Sequence, residues 1–150
     1  MGVSVIGTDI SFDALRIARK NAALLGAALR SPVELLQGSL LAPLAGRRVD
    51  AVVSNPPYIA YSESEALPAS VRNWEPTVAL FSADDGLAAT RGIVAQAPFF
   101  LNRGGILALE VDTRRAASVA EIVAVDGRYT EIEVLLDLTG RERFVFARRV

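Results

Sequence analysis

The sequence predicts one α/β domain over residues 1–150, built as a doubly wound, mostly parallel sheet with an antiparallel last strand. Two observations carry this. Short apolar runs alternate with stretches of helical period from Val3 to Gly127, the pattern of parallel strands joined by crossover helices. The last two apolar runs, Thr130 to Leu136 and Phe144 to Arg148, are joined by a short connection, which suits an antiparallel hairpin. No internal repeat or low-complexity tract interrupts the alternation.

Val3 to Asp9 reads as the first strand. Ser11 is placed to cap a helix, Asp13 falls in its first turn, and Leu15, Ala18, Ala22 and Leu25 recur at helical spacing before Gly26. Asp9 puts a carboxylate at a strand end just before a helix. That is the usual place to bind the two hydroxyls of a ribose, and equally the place of a helix-flanking acid with no ligand. Pro32 to Gly38 reads as the next strand, and Ala45-Gly46-Arg47-Arg48 as a turn with two solvated arginines. Val49 to Val53 follows as a buried parallel strand. Ile59 to Ala83 is long and lacks periodicity, a length of loop that often carries function. Leu87 to Leu101 reads as a helix that Pro98 should kink or shorten. Gly104-Gly105 is expected to turn the chain into a buried strand, Ile106 to Val111. Ala116, Val119, Ile122 and Val123 share one face of a further helix that Asp126-Gly127 ends.

The totals narrow the function. A chain of 150 residues suffices for one domain with a real core. The formal net charge is −1 and no basic block stands out, which argues against a grip on long nucleic acid. Cysteine and histidine are both absent, so disulfides, thiolate metal sites and histidine bases are excluded. No apolar run reaches membrane-spanning length, and the start lacks the layout of a secretion signal. A cytoplasmic protein is expected.

The stretch with chemistry is Ser54-Asn55-Pro56-Pro57-Tyr58, directly after the strand Val49–Val53. Ligands of open α/β sheets gather past the carboxyl ends of strands. Pro57 fixes its own backbone, lacks an N–H, and pushes Pro56 towards an extended conformation. The Pro56 carbonyl is thereby held rigid beside the Asn55 side-chain carbonyl. Two fixed acceptors suit a planar NH2 group, and the Tyr58 ring can lie against a flat substrate. Alone, the same five residues would also make an ordinary stiff turn.

Asn55-Pro56-Pro57-Tyr58 after an apolar strand resembles the motif of S-adenosylmethionine-dependent methyltransferases that act on exocyclic or amide NH2 groups. Val71-Arg72-Asn73-Trp74-Glu75-Pro76, Leu80 and Asp85-Gly86 resemble the segment that follows the motif in the HemK/PrmC family, the peptide chain release factor glutamine methyltransferases. Asp137-Leu138-Thr139-Gly140-Arg141-Glu142-Arg143 resembles that family's last loop. The resemblance implies a class I methyltransferase domain, Rossmann-like, that would lack the family's first strand and glycine-rich loop. Residues 1–150 would then be part of that domain. Binding of S-adenosylmethionine by this chain alone is expected to be weak.

By resemblance, Asn55 and Pro56 are catalytic, and Pro57 and Tyr58 join them in holding the substrate. Asp9, Ile10, Ser39 and Asn55 would contact S-adenosylmethionine: Asp9 the ribose, Ile10 the adenine ring unless it is simply core. Ser39 stands where the family commonly has an acid, and a hydroxyl is the weaker acceptor. The implied partner is a peptide chain release factor, methylated at the glutamine of its Gly-Gly-Gln loop. An adenine methyltransferase on nucleic acid is the competing reading, and an inactive remnant that folds only with a partner is the third.

Overall fold

A computed structural model describes residues 2–29, 31–60, 62 and 77–150. The chain divides into two compact units, Met1–Gly46 and Arg47–Val150. The segment Val71 to Pro76, which carries part of the family resemblance, lies outside the described residues.

The first unit is a strand–helix–strand module. Strand β1 (Val5–Asp9) runs parallel to β2 (Val33–Gln37), in register from Val5 opposite Val33 to Asp9 opposite Gln37. Helix α1 (Phe12–Leu25) connects them. Ser11 caps it as its sequence predicts: the hydroxyl accepts from the Ala14 N–H at 3.2 Å. Gly26 ends it at φ +45°, a left-handed value that glycine adopts without strain. Leu15 faces the sheet and is buried.

The second unit carries a four-stranded sheet in the order β3-β6-β8-β7. Strand β3 (Val49–Ser54) is parallel to β6 (Leu101–Glu110). Strands β7 (Tyr129–Leu136) and β8 (Glu142–Arg149) form the expected hairpin, and β8 runs antiparallel to β6. Two short strands, β4 (Ile59–Ala60) and β5 (Phe81–Ser82), pair in parallel beside it. Helices α2 (Ala88–Phe100) and α3 (Ala116–Asp126) complete the unit. Its core draws on Val94 and Ala97 of α2, Leu107 and Leu109 of β6, Val119 and Val123 of α3, and Val145 of β8. These helix positions recur three and four residues apart, as their spacing predicts.

Pro98 lies inside α2, which ends two residues later. A proline cannot donate to the carbonyl four residues earlier, here that of Val94. The Tyr129 hydroxyl donates to that carbonyl instead, at 2.7 Å. Burial pushes the Tyr129 phenol far above its ordinary value, so it remains a donor at any physiological pH. The interior proline is therefore tolerated because a strand supplies the missing donor.

Four expectations need correction. Gly104-Gly105 is not a turn before a strand: β6 already begins at Leu101, and the pair forms an irregularity within it. Leu101 sits opposite Val49, whereas Ile106 sits opposite Ala51. Gly104 takes φ +74°, and a Cβ on Gly105 would come within 2.8 Å of the Asn102 carbonyl oxygen. Strand β3 is buried only in part. Val52 is buried, but Ala51 and Val53 point to the opposite face and are exposed, Val53 at 78%.

Arg48, read as solvated, has an anchored head group. It donates to the Leu101 carbonyl at 2.9 Å and to that of Pro98 at 3.4 Å, and Arg149 also donates to Leu101. These carbonyls end α2, where partners within the helix run out and positive charge is favoured. Finally, the described part of Ile59–Ala83 is more ordered than its lack of period suggests. It holds β4, β5 and a helical turn at Thr77–Leu80.

Candidate active site

Asn55 to Tyr58 leave the carboxyl end of β3. Asn55 is exposed, Pro56 is buried, and Pro57 and Tyr58 are half-buried. Among the described residues, no partner takes the Asn55 side-chain amide. The exit of the stretch is clamped. Ile59 and Ala60 pair with Phe81 and Ser82, and Ala60 is buried. Ser82 is buried too, and its hydroxyl accepts from the Ala89 N–H at 3.1 Å, at the start of α2. Gly86 presses on the same exit: a Cβ there would stand 2.2 Å from the Tyr58 carbonyl oxygen. The stretch is thus bounded by a sheet strand on one side and a packed ribbon on the other.

In the first unit, Asp9, Ile10 and Ser39 come together at the carboxyl ends of β1 and β2. One Asp9 carboxylate oxygen accepts from the Ser11 N–H at 2.7 Å. The Asp9 backbone carbonyl accepts from Gly38 at 3.0 Å. Gln37 donates its side-chain amide to the Ile10 carbonyl at 3.3 Å. Thr8 donates to the Leu40 carbonyl at 2.8 Å, which pins the chain just past Ser39. Ile10 is 57% exposed, and Ser39 is exposed as well. An ionised carboxylate offers about four acceptor positions, so one N–H leaves Asp9 ample capacity for a ribose diol. Asn55 sits at the carboxyl end of a different parallel pair, β3 and β6. A shallow concavity lined by Ala22, Gly26, Leu29, Ser31, Pro32 and Val33 lies at the opposite end of β2 and contains none of these residues. Among the described residues no cluster of acids could hold a metal ion.

Past the end of β6 lies a structured corner that no periodicity in the sequence marks. Asp112 caps a short helical turn, Thr113–Arg115, by accepting from the Arg114 N–H at 2.8 Å. The Arg114 guanidinium donates to both Asp112 oxygens, at 3.0 and 3.1 Å. Chiefly that side-chain bond holds the Asp112 carboxyl below the usual aspartate range. Arg115 lies over the same carboxylate at 3.9 Å and donates to the Asp85 carbonyl at 2.9 Å. The Asp-Thr-Arg-Arg order was a visible capping signal, but its contact with Asp85 is tertiary. Glu110, the last residue of β6, is half-buried.

The hairpin tip between β7 and β8 is ordered by Asp137. One of its oxygens accepts from the Thr139 N–H, the Thr139 hydroxyl and the Arg141 N–H, at 2.8, 2.7 and 3.0 Å. The bond from the Thr139 side chain, before the others, lowers the Asp137 carboxyl.

No protein-family model matches the chain. Curated sequences match it closely. The release factor glutamine methyltransferase of Moorella thermoacetica is 45% identical over 145 residues, covering 97% of this chain and 50% of that protein. Those of Cereibacter sphaeroides and Deinococcus radiodurans are 45% and 44% identical, over 95% and 97% of this chain and 50% and 49% of theirs. The chain therefore spans about half the length of the curated relatives it matches.

Among solved structures, a methyltransferase from Pyrococcus furiosus superposes with a TM-score of 0.68 at 18% identity, over 98% of this chain and 64% of that one. The protein-(glutamine-N5) methyltransferase (release factor-specific) from Alicyclobacillus acidocaldarius gives 0.53 at 22%, over 99% and 80%. At such identities the structures establish the shared fold, and the curated sequences establish the kinship. This chain has the class I S-adenosylmethionine-dependent methyltransferase fold and is a homologue of the HemK/PrmC release factor glutamine methyltransferases, matched to their C-terminal part.

Proposed function

We propose that this chain is part of a methyltransferase domain that transfers a methyl group from S-adenosylmethionine to a glutamine side-chain amide. The proposed substrate is the glutamine in the Gly-Gly-Gln loop of a peptide chain release factor, met in the cytoplasm. One observation carries the reading: Asn55-Pro56-Pro57-Tyr58 stands clamped at the carboxyl end of a parallel strand, in a chain 45% identical to enzymes named for this reaction.

An amide nitrogen is a poor nucleophile, because its lone pair is delocalised into its carbonyl. When bound, the cofactor supplies a methyl group on a sulfonium, already strongly electrophilic, so no metal is needed. The Asn55 side-chain carbonyl and the Pro56 backbone carbonyl each accept one substrate N–H. That fixes the nitrogen's direction and favours the positive charge that grows on it. The surplus proton passes to water, which leaves no task for a histidine base. Tyr58 and Pro57 bound the amide plane. Asp9 holds the ribose hydroxyls, Ile10 lies against the adenine, and Ser39 offers the adenine amino group a hydroxyl acceptor. The donor set fits the cofactor: a carboxylate with spare lone pairs and an exposed apolar side chain adjoin at the ends of β1 and β2.

The test is a transfer assay on the intact polypeptide that carries this chain, with tritium-labelled cofactor. Release factor should be labelled, and a variant factor with that glutamine changed to alanine should not. Label entering adenine-containing DNA and not release factor would overturn the proposal.

A further inference from the structure

The acceptor stretch is held from behind by a turn that is itself under constraint. Gly86 takes φ +87°, and a Cβ there would lie 2.2 Å from the Tyr58 carbonyl oxygen, 2.8 Å from its carbon and 3.3 Å from the Ala60 nitrogen. Asp85, just before it, also has positive φ, at +52°. Asp-Gly adopts two successive left-handed residues readily, but keeping this turn packed against the Tyr58 carbonyl, with no room even for a Cβ, calls for a contact that holds it in position.

Arg115 provides that hold. Its Nε donates to the Asp85 carbonyl at 2.9 Å, and its side chain is only 14% exposed. The guanidinium is set in turn by Asp112, 3.9 Å away, which caps the turn that carries Arg115. Asp112 follows Val111, a buried residue whose N–H donates to the Arg143 carbonyl at 2.9 Å. A continuous series of contacts thus runs from the end of the sheet's inner strand β6, through Asp112 and Arg115, to Asp85-Gly86. It ends on the carbonyl of Tyr58, two residues beyond Pro56.

We propose that Arg115 is a positioning residue for the methyl-accepting amide: by fixing Asp85-Gly86 it fixes Tyr58, and with it the Pro56 carbonyl. The idea rests on the function proposed above. At 3.9 Å the contact with Asp112 is too long for a hydrogen bond, so the effect sought is on geometry. Arginine suits the position because a planar guanidinium can serve a carboxylate and a carbonyl at once, which an ammonium does less well.

Arg115→Gln and Arg115→Lys in the intact polypeptide test this by two readouts. The first is amide hydrogen exchange over residues 54–60, read against 101–110 as an internal reference. Exchange over 54–60 should rise roughly tenfold or more in the glutamine variant, with the reference unchanged and the lysine variant between. The second is transfer kinetics on release factor. Turnover should fall by about ten- to a hundredfold with KM for the cofactor unchanged, as a misplacement near 1 Å would cause. Unaltered exchange over 54–60 in the glutamine variant would overturn the proposal whatever the turnover, and so would unaltered turnover. If the glutamine variant fails to fold, the lysine variant is read by the same criteria. Should the unsubstituted polypeptide transfer no methyl to release factor, the proposed function fails, and the exchange comparison still decides the role of Arg115.

Discussion

Gly86→Ala is the sharpest perturbation the structure offers. The added methyl would stand 2.2 Å from the Tyr58 carbonyl oxygen, whereas ordinary contact begins at 3.4 Å. The carbonyl must therefore retreat by about 1.2 Å, or the turn must open. Two costs add. Holding alanine at a left-handed φ costs about 1–2 kcal/mol. Overpacking against a backbone that cannot swing aside costs about 1–3 kcal/mol more. The expected destabilisation is about 2–5 kcal/mol, a large share of the ~5–15 kcal/mol typical of a folded protein.

Gly127→Ala is the matched control. Gly127 has φ +75°, but nothing lies within 4 Å of the position its Cβ would take. It should lose only the conformational part, about 1–2 kcal/mol. Urea unfolding followed by circular dichroism measures both, as midpoints compared at unchanged slope. The transfer rate of Gly86→Ala should also fall by about a hundredfold, because the displaced carbonyl adjoins the acceptor pair. Equal midpoints for the two variants would refute the claim that Gly86 is required by close approach and not by its backbone angle alone.

Asn55→Ala should leave the urea midpoint within about 0.5 kcal/mol of the parent, since an exposed side chain without a partner among the described residues is removed. Its methyl-transfer rate should fall by about 10²–10³, the usual loss when one preorganised polar contact to the reacting group goes. Tyr129→Phe should cost about 1–3 kcal/mol in the same unfolding assay, because the Val94 carbonyl beneath Pro98 loses its donor. Asp112→Asn tests the acid limb of stability. The Asp112 carboxyl is held below its ordinary value by Arg114, so its contribution is complete above about pH 4 and is lost as pH falls through the folded value. Melting temperatures from pH 7 to pH 3 should therefore drop less steeply in the asparagine variant than in the parent.

Much of this molecule is legible one segment at a time. The caps at Ser11 and Gly26, the helical spacing of Ala116, Val119 and Val123, and the hairpin after Tyr129 depend on neighbours within a few residues, where period and capping chemistry speak directly. The motif Asn55-Pro56-Pro57-Tyr58 is legible for the same reason: two prolines constrain the backbone wherever they stand. Errors fell where a distant partner decides. Val53 reads as core by its apolarity, but it points to the face of β3 opposite buried Val52, and packing leaves that face exposed. Arg48 reads as solvated by its charge, but the carbonyls it meets belong to a helix end some fifty residues away. Gly104-Gly105 reads as a turn by its dipeptide, and the pairing of Leu101 with Val49 makes it an irregularity within a strand.

The sequence by itself therefore determined the alternation of strands and helices, the proline-stiffened stretch Asn55 to Tyr58 and the kinship with glutamine methyltransferases, all of which are written in local residue order. Only the tertiary structure decided what holds that stretch in place. Tyr129 excusing Pro98, Gly86 against Tyr58, and Arg115 on the Asp85 carbonyl each join residues some thirty positions apart. Such contacts exist only once the chain has closed on itself, because neither partner carries a local mark of the other.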